Sequence, residues 1–179
     1  MSFPRSKKKL YTEAELYEYA VGALARRMRT VAELKRLLRL KVESETEFGK
    51  TLVELIIRKL KDQGYLNDAK YAAAYSSFRR DNEKFGRVRV ITDLKAKGVH
   101  GDVIETAVTA AFDDVNEEKQ ARAYLQRKRL VKPKDQKQAA RIFRQLMRAG
   151  FRAKTIFTIL KKWDVDEETL TELEGETAE

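Results

Sequence analysis

Cysteine is absent from this chain, so disulfides and thiolate metal sites are excluded and folding rests on side-chain packing. A reducing compartment, the cytoplasm, is the expected location. Histidine occurs once, at His100, which leaves no His pair for zinc and no Ser-His-Asp relay with a ligand to spare. Its place between Val99 and Gly101 suits a turn between helices. Proline is limited to 2 and glycine to 8 of 179 residues, a scarcity that argues against disorder and against loop-rich folds over most of the length. No uninterrupted apolar stretch is long enough to span a bilayer, so no membrane partner is expected. The glycines fit neither a Gly-x-Gly-x-x-Gly loop nor a Walker phosphate loop. The adjacent acids Asp113-Asp114 stand between two helical patterns, where caps and dipole partners belong. Neither a catalytic site, a cofactor nor a metal is expected, and the chain reads as non-enzymatic.

What remains is strongly helical and strongly basic. A short phrase recurs: leucine, three residues, glycine, apolar residue, as Leu60 to Gly64-Tyr65, Leu94 to Gly98-Val99 and Leu146 to Gly150-Phe151. A helix that ends in a left-handed residue takes glycine just past its last turn, so each phrase reads as a helix stop. The starts are marked as well. Thr12-x-x-Glu15, Thr30-x-x-Glu33 and Ser44-x-x-Glu47 have the form of capping boxes. Asn67 precedes a pattern that places Tyr71, Ala74, Tyr75 and Phe78 on one face, read as core. Asp102 is expected to cap the next helix, and Asp113, Asp114 or Asn116 the one after it.

Counting stripes between these signals gives nine helices in three triplets. The expectation is an all-α fold, a tandem repeat of three three-helix units forming an elongated, curved molecule, because no single stripe can be buried alone while stacked units share a core. The boundaries are a basic flexible arm at 1–11, repeats at 12–66, 67–113 and 114–163, and an acidic tail at 164–179, frayed or briefly helical.

The formal net charge is +10, yet the last sixteen residues hold eight acids and neither Lys nor Arg, so the preceding chain is eight charges more positive than the whole. Such a field attracts polyanions. Two clusters stand out. One straddles the turn at Phe85-Gly86 and comprises Arg79, Arg80, Lys84, Arg87, Arg89, Lys95 and Lys97. The other falls between Lys119 and Lys134, where no acid occurs, and is led by Arg127, Lys128, Arg129 and Lys132. Consecutive basic residues on a helix point to different sides, so part of each cluster simply solvates the surface. The rest are candidates for phosphate contact with single- and double-stranded DNA, without sequence preference. The segment Val88–Val108 also allows a sequence-specific helix-turn-helix DNA-binding transcription regulator. Against that stand Asp102 and Glu105, which would face phosphates from the start of the reading helix.

Certain residues carry a more specific likeness. Ala25-Arg26-Arg27 precedes Ala32-Glu33-Leu34 to Leu38; Gly64-Tyr65-Leu66-Asn67-Asp68 runs on to Tyr71-Ala72; Gly86-Arg87-x-Arg89-x-Ile91-x-x-Leu94-x-x-Lys97-Gly98-Val99 follows, then Arg148-Ala149-Gly150-Phe151. In order and spacing, over roughly residues 12–163, the chain resembles the RecX family of regulatory proteins, which modulate the RecA recombinase. The resemblance implies a monomeric, curved array of three-helix units lodged in a RecA–DNA filament. It also implies inhibition of RecA ATP hydrolysis and strand exchange, with promotion of filament disassembly, in DNA repair and the SOS response. Two features depart from it: Val42-Glu43 stands where glycine ends the later middle helices, and the acidic tail lies outside it, free to screen the basic surface.

Overall fold

A computed structural model describes residues 11–43 and 46–178. Among these the fold is all-α: α1 (Glu13–Arg26), α2 (Val31–Arg39), α3 (Glu47–Asp62), α4 (Asp68–Asp81), α5 (Arg87–Ala96), α6 (Gly101–Phe112), α7 (Glu117–Arg127), α8 (Gln136–Arg148), α9 (Ala153–Lys161) and α10 (Glu167–Ala178). The first nine form three-helix repeats. All of the expected basic arm except Tyr11 lies outside the described residues.

The chain divides into two compact units. One gathers the residues up to Tyr71 with Ala96–His100, the other Ala72–Lys95 with the chain from Gly101 onward. In the first, α1, α2 and α3 enclose Leu16, Ala20, Leu34, Leu38, Ile56 and Leu60, all fully buried. Thr12 and Thr30 close their capping boxes as their spacing dictates. At α3 the cap is Thr46 and not the expected Ser44, which is outside the described residues; the Thr46 hydroxyl accepts from the Gly49 amide at 3.0 Å. The cap touches down where Gly49 has no side chain, since a Cβ there would come within 2.2 Å of the Glu43 carbonyl.

In the second unit, Ala121, Leu125, Phe143, Leu146, Phe151, Ile156, Ile159 and Leu160 form the main core. Asn116 caps α7 through the Lys119 amide at 2.9 Å, which settles that start among its three candidates. Asp102 lies inside the first turn of α6, which begins one residue earlier at Gly101, so it is not the cap. The expected frayed tail is instead a twelve-residue helix, α10. Asp166 caps it, accepting from the amide and hydroxyl of Thr169 at 2.8 and 2.9 Å, and these bonds hold the Asp166 carboxyl below its ordinary pKa. Leu170 and Leu173, one turn apart, then enter the core beside α8 and α9.

The helix stops share one bond pattern. Phe151 donates its amide to the Leu146 carbonyl at 3.2 Å and Gly150 to that of Met147 at 2.9 Å, with Gly150 at φ +89°. This is the closure expected of glycine past a helix end. After Gly64 the chain runs one residue further: Leu66, not Tyr65, bonds to Leu60 and is buried, while Tyr65 is exposed. Three further stops use the same left-handed turn without glycine, at Lys84, Arg129 and Asp164, with φ of 58°, 54° and 53°. Thus α7 ends at Arg127 and the chain turns off at Arg129.

The face assigned to α4 needs correcting. Tyr71 is buried and Tyr75 half-buried, but Ala74 and Phe78 are exposed, and Ala72 and Ser76 point inward in their place. Phe78 is therefore not a core residue.

Candidate nucleic-acid interface

Each unit contains a joint built on the same geometry. In the second, the start of α5 meets the end of α8: the Gly86 amide donates to the Ala149 carbonyl at 2.8 Å and Val88 to that of Gly150 at 3.3 Å. In the first, the start of α2 meets the segment after α5: the Thr30 hydroxyl donates to the Lys97 carbonyl at 2.7 Å, and a Cβ on Gly98 would lie 2.4 Å from that of Ala32. Thr30 and Gly86 each stand one residue before a middle helix, and Lys97 and Ala149 each stand one residue before a left-handed glycine. The joint at Lys97 is also ionic, because its ammonium reaches Glu33 at 3.1 Å. Burial pushes the Glu33 carboxyl up, but the bonds from Lys97 and the Thr30 backbone outweigh it and leave the pKa lowered. Burial likewise pulls Lys97 down, and its partners Glu33 and Tyr71 more than restore it. Lys97, a candidate for phosphate contact, is thus committed to holding the first unit together.

Around Phe85 the second unit gathers two further candidates. Asp93 accepts from the Tyr75 hydroxyl at 3.0 Å, and pairs with Arg79 at 3.3 Å and with Arg89 at 2.9 Å. Arg79 also donates to the Tyr75 oxygen at 2.8 Å. Both guanidinium groups approach the Phe85 ring, 5.1 and 5.6 Å from its centroid, within range of a cation–π attraction. Burial and the facing Asp93 push the Tyr75 phenol pKa up against the pull of Arg79, so it stays a proton donor. Arg89 keeps 43% of its side-chain exposure here, whereas Arg79 keeps 26%. The planar faces of both are ordered by the aromatic ring, with Arg89 the more open to an external anion.

The remaining candidates scatter. Arg80 turns inward, pairing with Asp81 and donating to the Ala111 carbonyl, while its own carbonyl takes the Gln120 amide at 2.7 Å. Arg87 is exposed and donates to the Thr109 hydroxyl at 2.9 Å. Arg127 pairs with Glu83 at 3.2 Å, Lys132 with Asp164 at 2.7 Å, and Lys128 lies 5.9 Å from the Tyr124 ring centroid. Lys95 and Arg129 are exposed and Lys84 half-buried; none of these three has an ion pair among the described residues. Asp102 and Glu105 sit exposed on the first turns of α6, where a sequence-reading helix would need to meet phosphates.

One basic feature escaped the sequence reading. On α8, Lys137, Arg141, Arg144 and Arg148 are all exposed, on the side away from buried Ala139, Ile142, Phe143 and Leu146. The signal was their spacing of four, three and four residues, which returns to one helix face.

Comparison with known proteins bears on most of the chain. The family model of the RecX second three-helix domain matches residues 67–108. Regulatory protein RecX of Deinococcus radiodurans is 33% identical over 150 residues, covering 82% of this chain and 67% of that protein. The chain belongs to the RecX family. RecX of Leptothrix cholodnii is 31% identical over 145 residues, covering 81% of this chain and 87% of the relative. Among longer relatives, RecX of Bacillus subtilis is 29% identical over 162 residues, and the chain spans 59% of its length. The crystal structure of RecX from Lactobacillus salivarius superposes with a TM-score of 0.61 at 23% identity, over 85% of this chain and 96% of that one, which establishes a shared fold. Among the described residues no helix is long and apolar enough to cross a membrane.

Proposed function

We propose that this RecX-family protein is a non-enzymatic regulator that binds the RecA–DNA filament as a monomer in the cytoplasm. There it inhibits RecA ATP hydrolysis and strand exchange and promotes filament disassembly, in DNA repair and the SOS response. The observation that carries the reading is family membership over most of the chain, in a molecule whose third repeat carries a long stretch almost free of acids. Between Lys119 and Trp163 the only acidic residue is Asp135. A cationic helical array has what a partner of DNA-bound polymer needs, since many weak phosphate and protein contacts act together through effective concentration.

Arg89, Lys84, Lys95 and Arg129 are the residues of the original clusters best placed to meet DNA or RecA, being exposed or only partly engaged. Arg80 and Lys97 serve the fold. Binding should be indifferent to base sequence on both single and double strands. Three-strand exchange by RecA tests the reading: the purified protein in excess should block joint-molecule formation. Unimpeded exchange would refute it, and a discrete footprint on duplex DNA without RecA would instead favour a transcription regulator.

A further inference from the structure

The outer face of α8 presents four cations in a line. At 100° per residue, Lys137, Arg141, Arg144 and Arg148 fall within an arc of about 60°, and at 1.5 Å per residue the line extends about 16 Å. Nothing on the helix offsets them: from Gln136 to Trp163 the sequence contains no Asp or Glu. Lys137, Arg141 and Arg148 have no ion pair among the described residues. Like charges one turn apart repel, and a ridge of this kind weakens the helix that carries it. Scattering the same residues around α8 would have relieved that repulsion.

The partner must supply negative charge at intervals along a line. The ridge has no exposed aromatic ring: Phe143, the aromatic residue of α8, is buried. No aromatic platform for base stacking is therefore present on it. What fits is the phosphodiester backbone, met by side chains that reach out independently of base identity. Arg89 stands at one end of the line, its guanidinium 3.4 Å from the Arg148 carbonyl, and extends the cationic surface toward Phe85.

We infer that the exposed face of α8 is a phosphate-binding ridge, formed by Lys137, Arg141, Arg144 and Arg148, through which the protein grips a nucleic-acid backbone. The inference rests on the reading of the protein as a DNA-filament regulator but is tested without RecA. Fluorescence anisotropy with a labelled 30-nucleotide single strand and the matching duplex, titrated with salt, compares the full chain with a K137Q/R141Q/R144Q/R148Q variant. Four lost contacts should lower the slope of log affinity against log salt by about 3.6 on duplex and about 2.8 on single strand, and the parent's affinities at one salt concentration identify the preferred form.

A control variant, R36Q/R39Q/R58Q/K61Q, removes the same net charge from exposed sites of the first unit. It should keep most of the slope. An unchanged slope or an equal loss in the control would overturn the assignment. Loss of DNA affinity with RecA inhibition absent even in the parent would instead uphold the ridge while removing the filament reading.

Discussion

Gly86 and Gly150 meet backbone to backbone: a Cβ on Gly86 would lie 2.2 Å from the Gly150 carbonyl oxygen, and one on Gly150 would lie 2.2 Å from the Arg89 amide. The start of α5 and the end of α8 approach this closely because neither glycine has a side chain. Either alanine substitution must push apart two helix ends that cannot yield locally. Gly86→Ala and Gly150→Ala should each cost about 2–3 kcal/mol of stability, the range of an overpacked core. Urea unfolding followed by circular dichroism measures it. Gly22→Ala, at a site where nothing lies within 4 Å of the added atom, should be neutral or slightly stabilising.

At Arg129 the opposite change helps. Its φ of 54° is a conformation that favours glycine, and its side chain has no ion pair among the described residues. Arg129→Gly should stabilise the second unit by about 0.5–1 kcal/mol, the left-handed strain relieved less the extra freedom of an unfolded glycine. Thermal melting of the variant checks this. If Arg129 contacts phosphate, the same variant loses affinity for DNA as it gains stability.

The Glu33–Lys97 pair gives the first unit its pH response. Because the folded Glu33 carboxyl has a lowered pKa, its contribution is fully present above the ordinary glutamate value of about 4.3 and is lost as pH falls through the lower folded value. Lys97 has a raised pKa, so its contribution is present below about 10.4 and is lost as pH rises through the folded value. Between those limits the joint is insensitive. Glu33→Gln should be less stable than the parent at pH 7, and the gap should close as the solution is acidified below about pH 4. Paired urea titrations from pH 3 to 7 show whether the two curves converge.

The acidic C-terminal segment has a structural role that must be separated from any screening of the basic surface. Leu170 and Leu173 are buried against α8 and α9, so deletion of residues 164–179 strips the core of two leucines and should cost about 3–5 kcal/mol. Any change in DNA affinity after that truncation would be confounded by damage to the fold. Glu168→Gln with Glu172→Gln alters exposed side chains and leaves the leucines in place. If the helix screens the basic surface, this pair should tighten DNA binding at low salt and leave it unchanged at high salt, where the field is damped. Equal affinity at low salt would show that α10 is purely structural.

Much of the fold could be read from residues whose chemistry is local. Thr12 and Thr30 with their glutamates, Asn67, and the glycines at 64, 98 and 150 act within one turn of the chain, and each marks the helix end expected of it. Stops at Lys84, Arg129 and Asp164 were invisible because the surrounding packing, not the residue type, holds them left-handed. Helix α10 was hidden for a related reason: its apolar content is two leucines among acids, too little for a periodic signal, and only the neighbouring α8 and α9 make burial of those two sufficient. Phe78 misled in the other direction, since its spacing from Tyr71 fits a common face while Ala72 and Ser76 lie nearer the axis of contact.

The candidate interface was legible as composition and not as geometry. Runs such as Arg127-Lys128-Arg129 draw the eye because the charges are consecutive, yet consecutive residues diverge by about 100° on a helix. The structure gives them to Glu83, to the Tyr124 ring and to a turn, respectively. Lys137, Arg141, Arg144 and Arg148 are separated in sequence and aligned in space. Ion pairing decided the rest: the acids that occupy Arg80 and Lys97, Asp81 and Glu33, lie close to them in the fold, and Glu33 is 64 residues away in sequence.

The most direct test of the central claim is a titration of RecA ATP hydrolysis on single-stranded DNA. The protein should suppress hydrolysis steeply at amounts well below one molecule per RecA subunit, because a regulator of the polymer acts on many subunits at once. Hydrolysis that stays at its uninhibited rate, or that falls only in proportion to one-to-one occupancy, would contradict the account.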